Sequence, residues 1–220
     1  MIKNTLEGNP QFENADYYFN NQNVIIELKS LQSDFAEINQ LSPKVEKQLR
    51  KWLEKGELSF SALFNLNLLT NWQKRKIFQI KYEPIRRTLK KANSQIKSTK
   101  NFFKNIEAHG IAILIIDGVE SVEFNELFSA ICSLLDKEEF SCIDGFVLMT
   151  MNTYIDIGNQ IANQLWAPAY KQENNTQLAN FVNYLGKEWG EFFQLKTGRF
   201  ENEATQTDDY NILKNTMHIR

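Results

Sequence analysis

Hydrophobic and polar residues follow several distinct patterns along this chain, and the first pattern is that of a β-hairpin. Residues 15–19 and 24–29 are rich in aromatic and β-branched side chains, which favour strands. The run between them, residues 20–23, consists of Asn and Gln and has turn chemistry. The pattern therefore predicts two antiparallel strands joined by a short turn.

A helical pattern replaces the strand pattern from residue 31 to about residue 82. Pro43 opens a charged amphipathic run over residues 45–55, and Gly56 ends it. A further helix is predicted over residues 59–69. We interpret residues 32–83 as a helical insertion.

A long helix is predicted from Pro84 to residue 104. One largely apolar stripe recurs there at steps of three and four residues, and its members are Ile85, Leu89, Ala92, Ile96, Thr99 and Phe103. Lysine and arginine side chains fall mostly off that stripe. The helix should therefore bury one face and expose a basic one.

Two uninterrupted apolar runs follow, IAILIID after Gly110 and GFVLMTMN over residues 145–152. Continuous apolar runs of this length are typical of strands buried on both faces. The pattern predicts a helix between them over residues 123–135, later helices over 159–166 and 176–193, and a polar, loosely held tail from Lys196.

This element order predicts an α/β fold in which a mixed β-sheet is flanked by helices. We expect one domain over residues 1–220. Its core would comprise residues 1–31 and 84–152, with the helical insertion at 32–83 and a helical C-terminal extension at 153–220.

Composition narrows the class of protein. The chain has 220 residues, 42% of them hydrophobic, which is enough for one sizeable core. No apolar run reaches the roughly 18 to 20 residues of a membrane span, and the first residues do not resemble a signal peptide, so we expect a cytoplasmic protein without a membrane partner. Two cysteines without C-x-x-C spacing and two histidines support no zinc site, and no glycine-rich nucleotide-binding motif is present.

The formal net charge of -2 hides an uneven distribution. Residues 73–104 carry eleven Lys/Arg and one acid, Glu83, whereas residues 105–220 carry seven Lys/Arg and seventeen Asp/Glu. A segment with a net charge of +10 and almost no internal acid is suited to a polyanion. An ordinary solvated helix face, or docking onto an acidic partner or the chain's own acidic C-terminal third, are alternative explanations.

The predicted hairpin carries charges that a buried strand does not need. Side chains alternate along a strand, so Glu27 and Lys29 share a face with Ile25. Asp16 on the neighbouring strand lies within reach of Glu27 if the hairpin twists or bulges. Two converging carboxylates form a hard oxygen site suited to Mg²⁺ or Mn²⁺. A lysine beside them can position a water molecule and offset developing negative charge.

Asp16, followed after ten intervening residues by Glu27-Leu28-Lys29 at the end of an apolar strand, resembles the PD-(D/E)XK nuclease superfamily, also called restriction-endonuclease-like. In that superfamily the two acids lie on adjacent strands of a mixed sheet, and the element order is helix, three strands, helix, strand. Ala15 stands where the proline of the motif would be. The resemblance covers residues 6–31 and 84–152.

The resemblance implies roles for individual residues. Asp16, Glu27 and the Leu28 carbonyl would bind Mg²⁺ or Mn²⁺, and Lys29 would be the catalytic lysine. An upstream glutamate is common in the superfamily; Glu7 and Glu13 are both candidates, with Glu7 preferred. Some relatives carry a glutamine and, four residues later, a tyrosine on the following helix, where this chain has Gln95 and Thr99. We expect the basic helix to bind nucleic acid through Arg86, Arg87, Lys90, Lys91, Gln95 and Lys97.

The sequence thus predicts a metal-dependent nuclease acting on DNA, of restriction, repair or defence type. A homodimer is possible, because cutting both strands needs two sites. The alternatives are a non-catalytic member of the same fold that binds nucleic acid, and a protein-interaction module.

Overall fold

The structure is a computed structural model, and it describes residues 12–31, 42–116, 119, 122–150, 153–156, 161–162, 164–171, 175–198, 206–207 and 209–218. The strands in these residues are β1 (Tyr17–Phe19), β2 (Val24–Leu31), β3 (His109–Ile116), β4 (Gly145–Thr150), β5 (Thr153–Asp156), β6 (Ile161–Ala162), β7 (Leu165–Tyr170) and β8 (Thr216–His218). The α-helices are α1 (Pro43–Glu54), α2 (Phe60–Phe64), α3 (Asn71–Lys81), α4 (Glu83–Phe102), α5 (Phe124–Leu135) and α6 (Thr176–Thr197).

The main sheet has five strands in the order β1-β2-β3-β4-β7. Its three central strands β2, β3 and β4 run parallel, and the outer strands β1 and β7 are antiparallel to their neighbours. Helices cover both faces, as the separate apolar clusters on the two sides indicate. The predicted α/β class with a mixed sheet flanked by helices is therefore confirmed.

The predicted hairpin is confirmed with its register. Tyr17 pairs with Ile26 and Phe19 with Val24. A short 3-10 helix over Asn20–Gln22 makes the turn, and Asn23 closes it at φ 57°. Asparagine tolerates this left-handed conformation better than most residues, which explains the Asn-rich turn.

The two faces of β2 separate as the alternation predicts. Ile25 belongs to the apolar cluster that packs against α4 and α5, whereas Val24 and Ile26 belong to the cluster that packs against α6. Glu27 and Lys29 share the face of Ile25. The charged pair of β2 is therefore on the side of α4.

The helix α4 buries the predicted stripe. Ile85, Leu89, Ala92, Ile96 and Thr99 are all buried, and Phe103 packs against the same cluster. The helix begins at Glu83, one residue before the proline, because proline is well tolerated in the first turn of a helix. The predicted strands after it, β3 and β4, are confirmed and almost wholly buried.

The predictions for the C-terminal third were partly wrong. Residues 161–162 and 165–166 lie in strands rather than in a helix, and β7 forms an edge of the main sheet. The extension is therefore not purely helical, although α6 confirms one of its helices. The tail is also more ordered than predicted: Leu213 is buried, and β8 pairs with β5.

The insertion forms a helical lobe with an apolar core of its own. The buried members of this core are Val45, Leu49, Trp52, Leu58, Ala62 and Leu69. The predicted helix over residues 59–69 is interrupted: α2 ends at Phe64, Asn65 is extended, and a 3-10 turn follows over Leu66–Leu68. None of the helices that the structure describes is long and apolar enough to cross a membrane.

Candidate active site

The hairpin brings the two predicted acids together. Extending the pairing of Tyr17 with Ile26 by one residue sets Asp16 opposite Glu27. The Asp16 carboxylate, through Oδ2, accepts a hydrogen bond of 2.9 Å from the Leu28 amide. This bond fixes Asp16 against β2, and the negative charge of Asp16 acts on Glu27.

Glu27 is a buried carboxyl group with one unsatisfied oxygen. The residue is 1% exposed. Its Oε1 accepts from Lys29 Nζ, whereas Oε2 is buried and has no hydrogen-bond partner among the described residues. Burial raises the pKa of Glu27 to about 7; Asp16 adds to the rise, and the bond from Lys29 opposes it.

Lys29 joins the hairpin to helix α4. Its Nζ donates to Glu27 Oε1 and to Gln95 Oε1, the latter at 2.7 Å. The Lys29 side chain is 17% exposed, so it is the more accessible member of the pair. The ammonium group therefore lies at the edge of the cluster with its direction set by two acceptors.

Gln95 of α4 is in contact with this cluster. Besides accepting from Lys29, it donates through Nε2 to the Asn14 carbonyl at 3.0 Å. The sequence predicted nucleic-acid binding for Gln95, and that role stays a prediction. Its side chain connects Lys29 to the segment that carries Asp16.

Thr99 lies one helical turn further along α4 and makes a contact with Ala15 that the sequence did not predict. Its Oγ1 accepts from the Ala15 amide at 2.8 Å, and the residue is fully buried. Residues four apart on a helix share a face, so Gln95 and Thr99 together hold residues 14 and 15. The available signal was a hydroxyl within an otherwise apolar stripe, because a buried polar group requires a partner.

The donor set fits a divalent cation. Mg²⁺ is commonly bound by only one or two carboxylates, with water and substrate oxygens completing its shell. Asp16 and Glu27 supply two, and the unpartnered Glu27 Oε2 is a buried polar atom that a cation would satisfy. No group of three or more His, Cys, Asp or Glu suited to a metal occurs among the described residues, so the protein's side chains would supply part of the shell.

Of the two candidates for the upstream glutamate, Glu7 lies outside the described residues and Glu13 is exposed. At Leu28 the described hydrogen bond involves the amide, so the role of its carbonyl stays a prediction.

The basic residues at the start of α4 are compensated, contrary to the expectation from the sequence. Arg86 forms a forked pair with Glu139, with two N···O distances of 2.8 Å. Lys90 lies 3.1 Å from the same carboxylate, and Arg87 donates to Glu83 at 3.0 Å. Glu139 is 53 residues from Arg86 in sequence, so the charge balance along the chain did not reveal the pairing.

Lys91 and Lys97 remain available for an external anion. Both are exposed, and neither has an ion pair among the residues that the structure describes. The part of α4 suited to an external anion is therefore smaller than predicted.

Comparisons with protein-family models, with curated proteins and with solved structures found no match. The resemblance to the PD-(D/E)XK superfamily depends on Asp16, Glu27, Lys29 and the surrounding element order. Two strands precede the first core helix in the described residues, whereas the superfamily has three.

Proposed function

We propose that the protein is a metal-dependent nuclease that hydrolyses phosphodiester bonds in DNA. One observation carries the proposal: Asp16, Glu27 and Lys29 converge at one point of the sheet, and a buried carboxylate oxygen there has no partner among the described residues. The motif that suggested the activity and the geometry of the hairpin are thus consistent with each other.

The burial of the pair formed by Glu27 and Lys29 argues against an ion pair that has no function. The single positive charge of Lys29 can balance the charge of one carboxylate, whereas Asp16 and Glu27 supply two carboxylates. Burying unpaired charge is costly, and a protein retains it chiefly where function needs it. The pKa of Glu27, raised to about 7 mainly by burial, reflects this cost.

Asp16 and Glu27 would hold the Mg²⁺ or Mn²⁺, together with the Leu28 carbonyl that the resemblance implies. Such a cation, when bound, lowers the pKa of a water molecule that it binds and stabilises negative charge on a phosphoryl oxygen. The fit rests on the two acceptor side chains and on the unpartnered Glu27 Oε2. Glu27 must lose its proton to bind, so the site forms most readily above neutral pH.

Lys29 and Gln95 would orient the reacting groups. The amide oxygen of Gln95 holds the Lys29 ammonium from the α4 side, so the lysine keeps its direction when Glu27 turns to another partner. From there Lys29 positions the attacking water and stabilises the negative charge that develops on the phosphate. The resemblance implies products with a 5′-phosphate and a 3′-hydroxyl.

The test is cleavage of supercoiled, linear and single-stranded DNA in Mg²⁺ by wild type and by Lys29→Ala. We expect the variant to lose at least about a hundredfold in rate, which is typical of removing one charge-stabilising group. Lys104→Ala, which removes an exposed lysine, is the matched control and should cut at the wild-type rate. Equal cleavage by wild type and Lys29→Ala would contradict the proposal.

A second candidate is a non-catalytic protein of the same fold that binds nucleic acid or a protein. The exposed Lys91 and Lys97 of α4 favour it, because they have no ion pair among the described residues and can hold phosphates without a metal. Salt-sensitive DNA binding that is unchanged by EDTA, with no product after long incubation, supports this candidate over the nuclease.

A further inference from the structure

The helical lobe exposes an unusual amount of apolar surface. Phe60 is 66% exposed, Phe64 78% and Trp72 52%, and Leu66 and Leu68 between them are also exposed. These five residues fall within a stretch of thirteen, although the lobe has a buried core of its own. So many large apolar side chains exposed on one small lobe mark an interaction site.

The exposed rings are held in defined orientations. Phe60 and Phe64 are one helical turn apart on α2, with centroids 5.3 Å apart and an angle of 64° between the planes. Trp72 rests edge-on against Trp52, which is buried, at 5.0 Å. Since the buried indole supports it, Trp72 can present an open face without collapsing into the lobe.

The segment that carries these rings also carries positive charge that is largely uncompensated. Residues 58–82 contain four cations and no acid. Lys81 pairs with Glu126, while Lys74, Arg75 and Lys76 are exposed and have no ion pair in the described part of the chain. Arg75 and Lys76 follow Trp72 by three and four residues on α3, so they share its side of the helix.

Flat rings beside unpaired cations match the chemistry of single-stranded nucleic acid. Unpaired bases stack on aromatic side chains, and the phosphates between them are attracted to Lys and Arg. A duplex hides the faces of its bases, so rings cannot stack on them there. A purely apolar protein partner would not require the cluster of exposed cations.

We propose that exposed rings and cations of the lobe, namely Phe60, Phe64, Trp72, Arg75 and Lys76, bind single-stranded nucleic acid. This inference specifies single-stranded nucleic acid as the form of the nuclease substrate, and in that respect it rests on the proposed nuclease function. The lobe is connected to the candidate site, because α3 leads through Tyr82 directly into α4, which carries Gln95.

The experiment measures fluorescence anisotropy of a labelled 15-nucleotide single strand of mixed sequence in EDTA. Wild type is compared with Phe60→Leu/Phe64→Leu and with Trp72→Leu, which keep apolar volume but remove the rings. We expect affinity to fall about tenfold or more in each variant, as base stacking predicts. Phe192→Leu, which alters a half-exposed ring on α6, is the control and should bind as wild type does.

The cations are tested separately. Arg75→Gln/Lys76→Gln should lower the slope of log affinity against log salt by about 1.4, since each phosphate contact with a single strand contributes about 0.7. Wild-type affinity in both ring variants overturns the proposal and points to a protein that docks on apolar surface. Equal binding of a matched duplex, with equal losses in the variants, also overturns it.

Failure of this inference can be separated from failure of the nuclease proposal. Ring-dependent binding without any cleavage by wild type would sink the nuclease alone. Cleavage by wild type together with wild-type binding by the ring variants would sink the lobe inference alone.

Discussion

Glu27 is the residue at which stability and function conflict. It is buried beside a second carboxylate, and its Oε2 has no partner among the described residues. Burial is the largest cause of its raised pKa, and the neighbouring Asp16 charge adds to it. The folded protein therefore prefers a protonated Glu27, whereas a bound cation would prefer the carboxylate.

This conflict predicts how stability depends on pH. Glu27 has a pKa of about 7 when folded and 4.5 as its ordinary value, so between these values the folded state holds a proton that the unfolded state has lost. The free energy of unfolding should therefore decrease as pH rises from about 4.5 to 7. In EDTA at pH 8, Glu27→Gln should be more stable than wild type by up to about 3 kcal/mol, because glutamine is neutral.

Urea unfolding at a series of pH values measures this difference. Glu54→Gln, which removes an exposed acid on α1, is the control and should follow the wild-type dependence. If Glu27→Gln is less stable than wild type at pH 8, the Glu27 carboxylate must have a stabilising partner beyond the contacts described above.

Helix α4 is the element that organises the site. Its apolar stripe packs against the sheet, Gln95 reaches Lys29 and the Asn14 carbonyl, and Thr99 accepts from the Ala15 amide. One helix therefore fixes both the lysine and the segment that carries Asp16. A change on α4 can disturb the candidate site without touching its charged groups.

Thr99 tests this positioning role. Thr99→Val keeps the shape but leaves the Ala15 amide without its acceptor, which should cost about 1–3 kcal/mol of unfolding free energy. Thr99→Ser keeps the hydroxyl and should cost about 1 kcal/mol or less for its lost methyl group. Hydrogen exchange of the Ala15 amide should accelerate in the valine variant alone. Equal exchange rates in the two variants would mean that the hydroxyl does not hold this segment.

Local patterns explain which elements could be predicted. The hairpin, the stripe of α4 and the apolar strands β3 and β4 all have strong periodicity or length signals. No such signal marks the interruption of the predicted helix at Asn65 or the strand β7. β7 contains Pro168, which an edge strand tolerates but which weakens any strand signal in the sequence.

At the scale of the whole molecule, the contacts that sequence did not reveal are those between distant segments. Asp16 and Glu27 were predictable because a hairpin joins them over a few residues. The partners of Thr99 and Arg86 lie 84 and 53 residues away, and no local pattern encodes such pairing. The charge imbalance along the chain therefore overstates the free positive charge of α4, since Glu139 neutralises part of that charge.

The described residues include a sheet that carries the candidate site and a basic helical lobe that precedes α4. The lobe has its own apolar core and an exposed aromatic and cationic surface. This arrangement suits a protein that holds a polyanion with one part and reacts with it at another. The proposed nuclease activity depends above all on binding of a divalent cation by the hairpin carboxylates.

Calorimetric titration of Mn²⁺ tests this binding most directly. It should be done at pH 8, where Glu27 is mostly ionised, on wild type and Glu27→Gln, with and without a phosphorothioate oligonucleotide that resists cleavage. We expect a binding isotherm for wild type and its loss in Glu27→Gln. Equal binding by both proteins, or no binding by wild type even with the oligonucleotide, would contradict cation binding by these carboxylates.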